Sequence, residues 1–521
     1  MRKIVSLALC LAMILLVFAG CSGGSGTTDS RPPAASGSEQ PAPVSGSKEI
    51  KVGLHADVAS MDPRNASSTA TAGVLAHMFN KLVKSDQDMN IEPDLAESYE
   101  QVDDLTWRFN LRQDVTFHDG SKFTAADVVY TLDSLRDKDK EWRLTTDFSF
   151  MKAVAVNDYT VDISTEEPYP GLLLRLNYVM IIPGEYVESV GDEEFGKNPV
   201  GTGPYKFVSR VKDESIVCEA YDGFYLGKPA IDKIMFQIIP ETASRMAALE
   251  AGDVLFSSNV PSNEIDRLNA GGAINVMNYP TSRIAFLNYN LLVDSPMTDI
   301  RVRQAINHAI DRDKLIQGVL DGYGVNVASL ACPEYEGYDP GVKGFDYDLE
   351  KAKSLMSDAG YAEGFTVEAS YSQSQAFAAD VMQYLAAELS NIGVKMELRE
   401  MESNQQREMI SAGTVSPLYM NAIGGPYANI DLIAKLVFSS GERYSTINDT
   451  EFDALREKAA SAIDKAERDR LNSELQQMQL DKAYSAVLYQ PSGIYAVSGK
   501  LLNWQPRADE MLLFYDCDLA A

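Results

Sequence analysis

Four histidines (His55, His77, His118 and His308) and three cysteines beyond residue 21 (Cys218, Cys332 and Cys517) are the side chains best suited to chemistry in this chain of 521 residues. His118 sits in Phe117-His118-Asp119-Gly120, an imidazole beside a carboxylate, which is how a general base is commonly built. No nucleophile motif accompanies it. Asp-Gly is also a turn signal, so the segment reads as a bend with His118 hydrogen-bonded locally. No Cys-x-x-Cys or His/Cys cluster has the spacing of metal ligands, so neither a metal nor another cofactor is expected. Carboxylates are abundant, but no spacing marks an acid–base pair, and no enzymatic activity is expected. Three widely spaced cysteines are no disulfide framework, although one bridge is allowed in an oxidising compartment. Two stretches offer ligand contacts instead. The polar run Ser372-Gln373-Ser374-Gln375 precedes a helix carrying Val381, Leu385 and Leu389. Backbone N–H groups at such a helix start hold carboxylates, which makes Ser372, Gln373 and Gln375 candidate contacts as well as caps. Tyr489, in a strand-like segment near the end, is another.

The elements that must position these residues are legible from periodicity. Residues 105–112 alternate apolar and polar side chains, as do Val161 and Ile163, and Ile234, Phe236 and Ile238, which marks strands. Thr124 and Asp127 form a capping box ahead of Val128, Leu132 and Leu135. Val302, Ile306, Ala309 and Ile310 make one helical stripe, and Asp311 starts another helix with Leu315, Ile316 and Val319 that Gly322 ends. Asp348 precedes a third, ended by Gly360, and helices follow from Thr450 and near Asp464. Strand-like segments return at residues 486–489 and 494–497. Helices and strands alternate along the body without a repeat period, so the chain is α/β. At about 470 residues beyond the N-terminal segment it is too long for one core and should form at least two lobes.

The net charge of −29 argues against nucleic acid and anionic lipid as partners. At the N-terminus, Arg2 and Lys3 precede an apolar run over residues 4–18, too short for a lasting membrane span and fitting a signal peptide over residues 1–20. The run ends at Ala19-Gly20-Cys21, which resembles the lipobox of bacterial lipoproteins with Phe18 in place of the usual leucine. The resemblance implies lipidation of Cys21. Residues 21–48 are Ser-, Gly- and Pro-rich and read as a disordered tether to a membrane.

Longer motifs then appear in order. Residues 92–99 (EPDLAESY), 105–120 (LTWRFNLRQDVTFHDG) and 123–129 (FTAADVV) are followed by 198–205 (NPVGTGPY), 299–312 (DIRVRQAINHAIDR), 352–361 (AKSLMSDAGY) and 452–455 (FDAL). Together they resemble the bacterial extracellular solute-binding proteins of family 5, which include oligopeptide-, dipeptide- and nickel-binding receptors of ABC importers. The resemblance implies a two-lobed periplasmic-binding-protein type II-like fold with an extra subdomain in lobe I. Lobe I would take residues 49–284 with the subdomain at about 64–190, lobe II residues 285–485, and residues 486–521 would return to lobe I. It further implies a monomer that delivers a peptide or peptide-like solute to an importer's permease and ATPase, on the extracellular face or in the periplasm if the cell has an outer membrane; a surface receptor that hands peptides or pheromones to a sensor is the alternative.

Site residues implied by the resemblance come from two loops. Ser60 and Met61 lie in a loop expected near the cleft. Peptide-binding members hold the solute's ammonium on an aspartate in a Trp-x-x-Asp loop of lobe II. The matching stretch here, residues 420–431, has no tryptophan and places Gly425 where that aspartate stands. Asn421, Gly424, Gly425 and Tyr427 are the candidate contacts, and Asp431 reads as a helix cap. Without that carboxylate, modified peptides, opines, glycosides and nickel chelates stand beside simple peptides as cargo.

Overall fold

The strand Ser485–Ser498, 14 residues long, ties the architecture together. Its first residues pair antiparallel with Ile284–Tyr289, and its later ones with Ile274–Pro280 and Phe256–Ser258. The two terminal segments anticipated around Tyr489 and Tyr495 are therefore one continuous strand serving two halves of a 12-stranded sheet. In this computed structural model the described residues are 47–520, except 67, 88, 373, 374, 376 and 425–428. The expected signal segment, Cys21 and nearly all of the expected tether lie outside them.

In lobe I the sheet runs from that strand through Phe256–Ser258, Glu49–Leu54, Lys233–Ile238, Ser215–Ala220 and Tyr205–Val211. Ile234, Phe236 and Ile238 point into a core shared with Val52, Tyr205, Phe256 and Phe514, as their alternation requires. In lobe II the order from the shared strand is Ile284–Tyr289, Leu418–Ile423, Phe365–Ser372 and Val394–Met401. Helices Ile300–Ala309, Leu349–Asp358 and Ala378–Ser390 cover it, burying Val302, Ile306, Met356, Val381 and Leu385. Asp311 and Asp348 accept from the N–H groups of Lys314 and Lys351, the caps their positions call for.

A separate four-stranded antiparallel sheet (Ala96–Asp103, Thr106–Leu111, Thr160–Ser164, Lys152–Asn157) forms a subdomain with its own core around Phe109, Phe117, Leu132 and Ile163. Helix Ala125–Arg136 packs on it, opened by the Thr124/Asp127 capping box. Asp127 also accepts from the Gly184 N–H at 3.0 Å, which ties the helix start to the following segment.

His118 and His308 are absorbed by this framework. The His118 ring accepts from the Gly201 N–H at 3.2 Å and donates to the Gly203 carbonyl at 2.9 Å, and burial lowers its pKa to about 4. It is a neutral turn-holding imidazole, not a base facing a substrate. His308 contacts the Asp346 carbonyl at 2.7 Å and packs edge-on against Phe345. Cys218, Cys332 and Cys517 are buried free thiols, and burial raises Cys218 and Cys517 to about 12. Among the described residues no cluster could hold a metal ion, and no helix is long and apolar enough to cross a membrane.

Candidate solute-binding cleft

Between the lobes lies a cleft of about 1020 Å³, within the range of small-molecule sites or slightly above it. Residues 281–283 and 490–492, where the chain passes between lobes, form its floor. The Thr281 N–H and hydroxyl both donate to the Pro491 carbonyl, at 2.9 and 2.8 Å, and the Gln490 amide donates to the Thr281 carbonyl at 2.8 Å. Gly424 presses on the same crossing: its φ is +143°, and a β-carbon there would stand 2.0 Å from the Ser282 carbonyl oxygen. Only glycine fits a backbone approach that close.

The sequence-derived candidates divide cleanly. Ser372, Gln375, Asn421, Gly424 and Tyr489 all line the cleft, drawn from three strands and one helix start. The Gln375 amide reaches Asn421 Oδ1 at 3.4 Å, and the Ser372 and Ser403 hydroxyls are 2.7 Å apart. Gln373, Gly425 and Tyr427 lie outside the described residues. Ser60 and Met61 are placed elsewhere: Met61 is buried in the lobe I core, and Ser60 accepts from the Asp62 N–H at 3.0 Å. The physical reason is local. Asp62 turns inward to pair with the buried Arg64 at 2.6 Å, which pulls the loop into the core. The residues flanking it, Leu54, His55, Ala56 and Ala66, face the cleft instead.

Asp431 is corrected as well. The cap of helix Ile430–Ile433 is Asn429, which accepts from the Leu432 N–H at 3.2 Å. Asp431 stands in the first turn, accepting from Arg456 at 2.9 Å and from the Tyr169 hydroxyl of the subdomain at 3.1 Å. Arg443 similarly reaches Asp147 at 3.1 Å. Both contacts join lobe II to the subdomain.

Several lining groups carried no periodic or motif signal: Lys81, Asn177, Ser258, Arg283, Arg407 and Arg443. They converge from strand ends, loops and, for Arg407, a helix, far apart in the chain. Arg283 pairs with Glu510 and also donates to the Thr69 hydroxyl at 3.2 Å. His55 has its pKa lowered by burial and by Arg245, so it is neutral near pH 7. The walls combine apolar surface from Phe148, Phe377, Met420 and Tyr489 with a few polar groups, the pattern of a site that encloses a small solute.

Comparison with known proteins agrees with this architecture. The chain is 27% identical over 493 residues to the glutathione-binding protein GsiB of Pectobacterium atrosepticum, covering 92% of this chain and 95% of that one. The crystal structure of the ABC transporter substrate-binding protein CtaP of Listeria monocytogenes superposes with a TM-score of 0.83 at 24% identity, covering 91% of this chain and 99% of that one. MoaA of A. tumefaciens R10, solved with mannopinic acid, gives a TM-score of 0.78 at 26% identity, covering 91% of this chain and all of its own. Residues 90–445 match the family model described as bacterial extracellular solute-binding proteins, family 5 middle, and the chain belongs to that family.

Proposed function

We propose that the protein captures peptide-like solutes outside the cell and passes them to an ABC importer by closing its lobes. The observation that carries this reading is a cleft walled by both lobes and floored by the two crossings at residues 281–283 and 490–492. A solute that touches both walls binds the closed arrangement better than an open one, and so selects it. The bodies that move lie on either side of the crossings at residues 281–283 and 490–492, with the subdomain at about 64–190 carried on the first. Ser372, Gln375, Asn421 and Tyr489 contact the solute. Relatedness to a glutathione-binding protein supports a short peptide-like cargo, and the likeness to CtaP supports an ABC importer as partner. A carboxylated sugar conjugate is the second reading, favoured by the likeness to MoaA. The protein turns nothing over, acts as a monomer, and is held at the membrane through a lipid on Cys21.

Native mass spectrometry of the purified protein, followed by release and identification of the co-purified molecule, tests the reading. One peptide-like solute per chain, recovered chemically unchanged, is expected. A released product of a reaction, or failure to bind across peptide and sugar-conjugate collections, would refute it.

A further inference from the structure

The charge of the cleft runs opposite to that of the chain. The sequence has 75 Asp and Glu against 46 Lys and Arg, yet the described cleft walls carry Lys81, Arg283, Arg407 and Arg443 against only Asp509 and Glu510. The two carboxylates are already engaged, Glu510 by Arg283 and Asp509 by Arg507, while Arg443 is engaged by Asp147. Lys81 on lobe I and Arg407 on lobe II form no ion pair among the described residues.

Lys81 is held as a fixed point. Its backbone bridges to Met180, its N–H donates to Asp94 at 3.2 Å, and its carbonyl accepts from the Leu95 N–H at 2.9 Å. The ammonium lies 5.9 Å from the centre of the Tyr178 ring. Of the carboxylates near it, Asp94 is taken by the Tyr225 hydroxyl at 2.5 Å and Asp509 by Arg507 at 2.7 Å. Burial lowers the Lys81 pKa to about 8, so it stays largely charged at neutral pH without a counterion in contact. A half-desolvated ammonium in that position gains more from an incoming anion than an exposed one does. Arg407 is exposed on helix Ser403–Ser411 of the opposite wall, braced by the Ser403 carbonyl at 3.3 Å.

A second observation gives the rest of the ligand's chemistry. Asn177 Oδ1 and Ser258 Oγ, on residues only 3% and 5% exposed, and Gln375 Oε1 are buried atoms of cleft-lining residues and have no hydrogen-bond partner among the described residues. Two of these are amide oxygens, which accept and never donate, so they call for N–H or O–H donors on the solute.

We propose that the cargo is an acidic peptide-like molecule, rich in hydrogen-bond donors and carrying more carboxylates than ammonium groups, with one carboxylate seated on Lys81 and Arg407 approaching from the other lobe. This rests on the solute-receptor reading above and narrows its substrate class. Calorimetric titration of the full chain at pH 7 and low salt tests it, with Ala-Glu-Ala, Ala-Gln-Ala, Ala-Lys-Ala and a dicarboxylate sugar–amino acid conjugate as probes. The acidic tripeptide should bind tightest of the three peptides. Lys81→Met should weaken it by about tenfold or more while leaving the free protein's melting temperature unchanged, and Lys81→Arg should retain most of the affinity. If the neutral or basic tripeptide binds best, or Lys81→Met changes affinity less than about twofold, the anionic assignment falls and the peptide reading stands. If only the sugar conjugate binds, and binds through Lys81, the peptide reading falls and the anionic assignment stands. Failure of every probe counts against both.

Discussion

The Tyr169 hydroxyl donates to Asp431 Oδ2 at 3.1 Å, joining the subdomain of one lobe to a helix of the other. The same hydroxyl accepts from Arg175 at 3.0 Å, and Arg456 holds the second oxygen of Asp431 at 2.9 Å. A phenol lodged between a guanidinium and a carboxylate is polarised in one direction, and burial raises its pKa to about 12, so it remains a donor at all working pH values.

Tyr169→Phe removes that link without changing ring packing. Because the bond exists only when the lobes are together, its loss shifts the closing equilibrium toward the open form. A hydrogen bond to a charged group contributes about 1.5–3 kcal/mol, so solute affinity should fall by about tenfold or more. Calorimetry gives the affinity, and small-angle scattering with solute should show a smaller closed fraction.

Gly424→Ala should damage the crossing itself. The φ of +143° excludes a β-carbon, and the new methyl would meet the Ser282 carbonyl. Strain of this kind costs about 1–3 kcal/mol before any displacement of residues 281–283 is counted. Urea unfolding should show a lower midpoint, and solute affinity should drop with it. Gly441→Ala is the control, since its φ of +74° carries similar backbone strain but nothing lies within 4 Å of its β-position. It should lower stability without weakening binding.

His77 makes part of the stability pH-dependent. Its ring contacts the Gly73 carbonyl at 2.9 Å and accepts from the Phe514 N–H at 3.0 Å, an arrangement that only the neutral form can hold. Burial lowers its pKa from 6.5 to about 4. The folded state therefore binds fewer protons than the unfolded state between those values. The contribution is complete above about pH 6.5 and is lost as pH falls toward 4, amounting to about 3 kcal/mol. Comparing wild type with His77→Gln by urea unfolding at pH 7 and pH 4 should show their stability difference shrinking by that amount on acidification. A constant difference would contradict the assignment.

Cys21→Ala addresses the anchor. If the lipid on Cys21 holds the protein at the membrane, the variant should appear in the culture medium, or in the periplasm where there is an outer membrane. Fractionation and immunoblotting read the outcome, and a variant still found in the membrane fraction would exclude the anchor.

Sequence alone determined what local periodicity and local chemistry determine. The alternation at Ile234, Phe236 and Ile238 fixed which face of a strand is buried, and Asp311, Asp348 and the Thr124/Asp127 pair marked helix starts, because a cap acts within one turn of its own helix. Ordered motifs across residues 92–455 placed the chain in its family before any coordinates. The cleft was legible at Ser372 and Gln375, where a polar run meets a helix start, at Tyr489 in a strand-like segment, and at Asn421 and Gly424 through the family resemblance. Tertiary structure alone decided that Met61 turns into the core behind the Asp62–Arg64 pair, and that Asp431 serves an interlobe contact while Asn429 caps the helix. It also decided that Lys81 and Arg407, 326 positions apart in the sequence, stand on facing walls of one cleft. No periodicity encodes such a juxtaposition, because it depends on where a shared 14-residue strand carries two sheets in space.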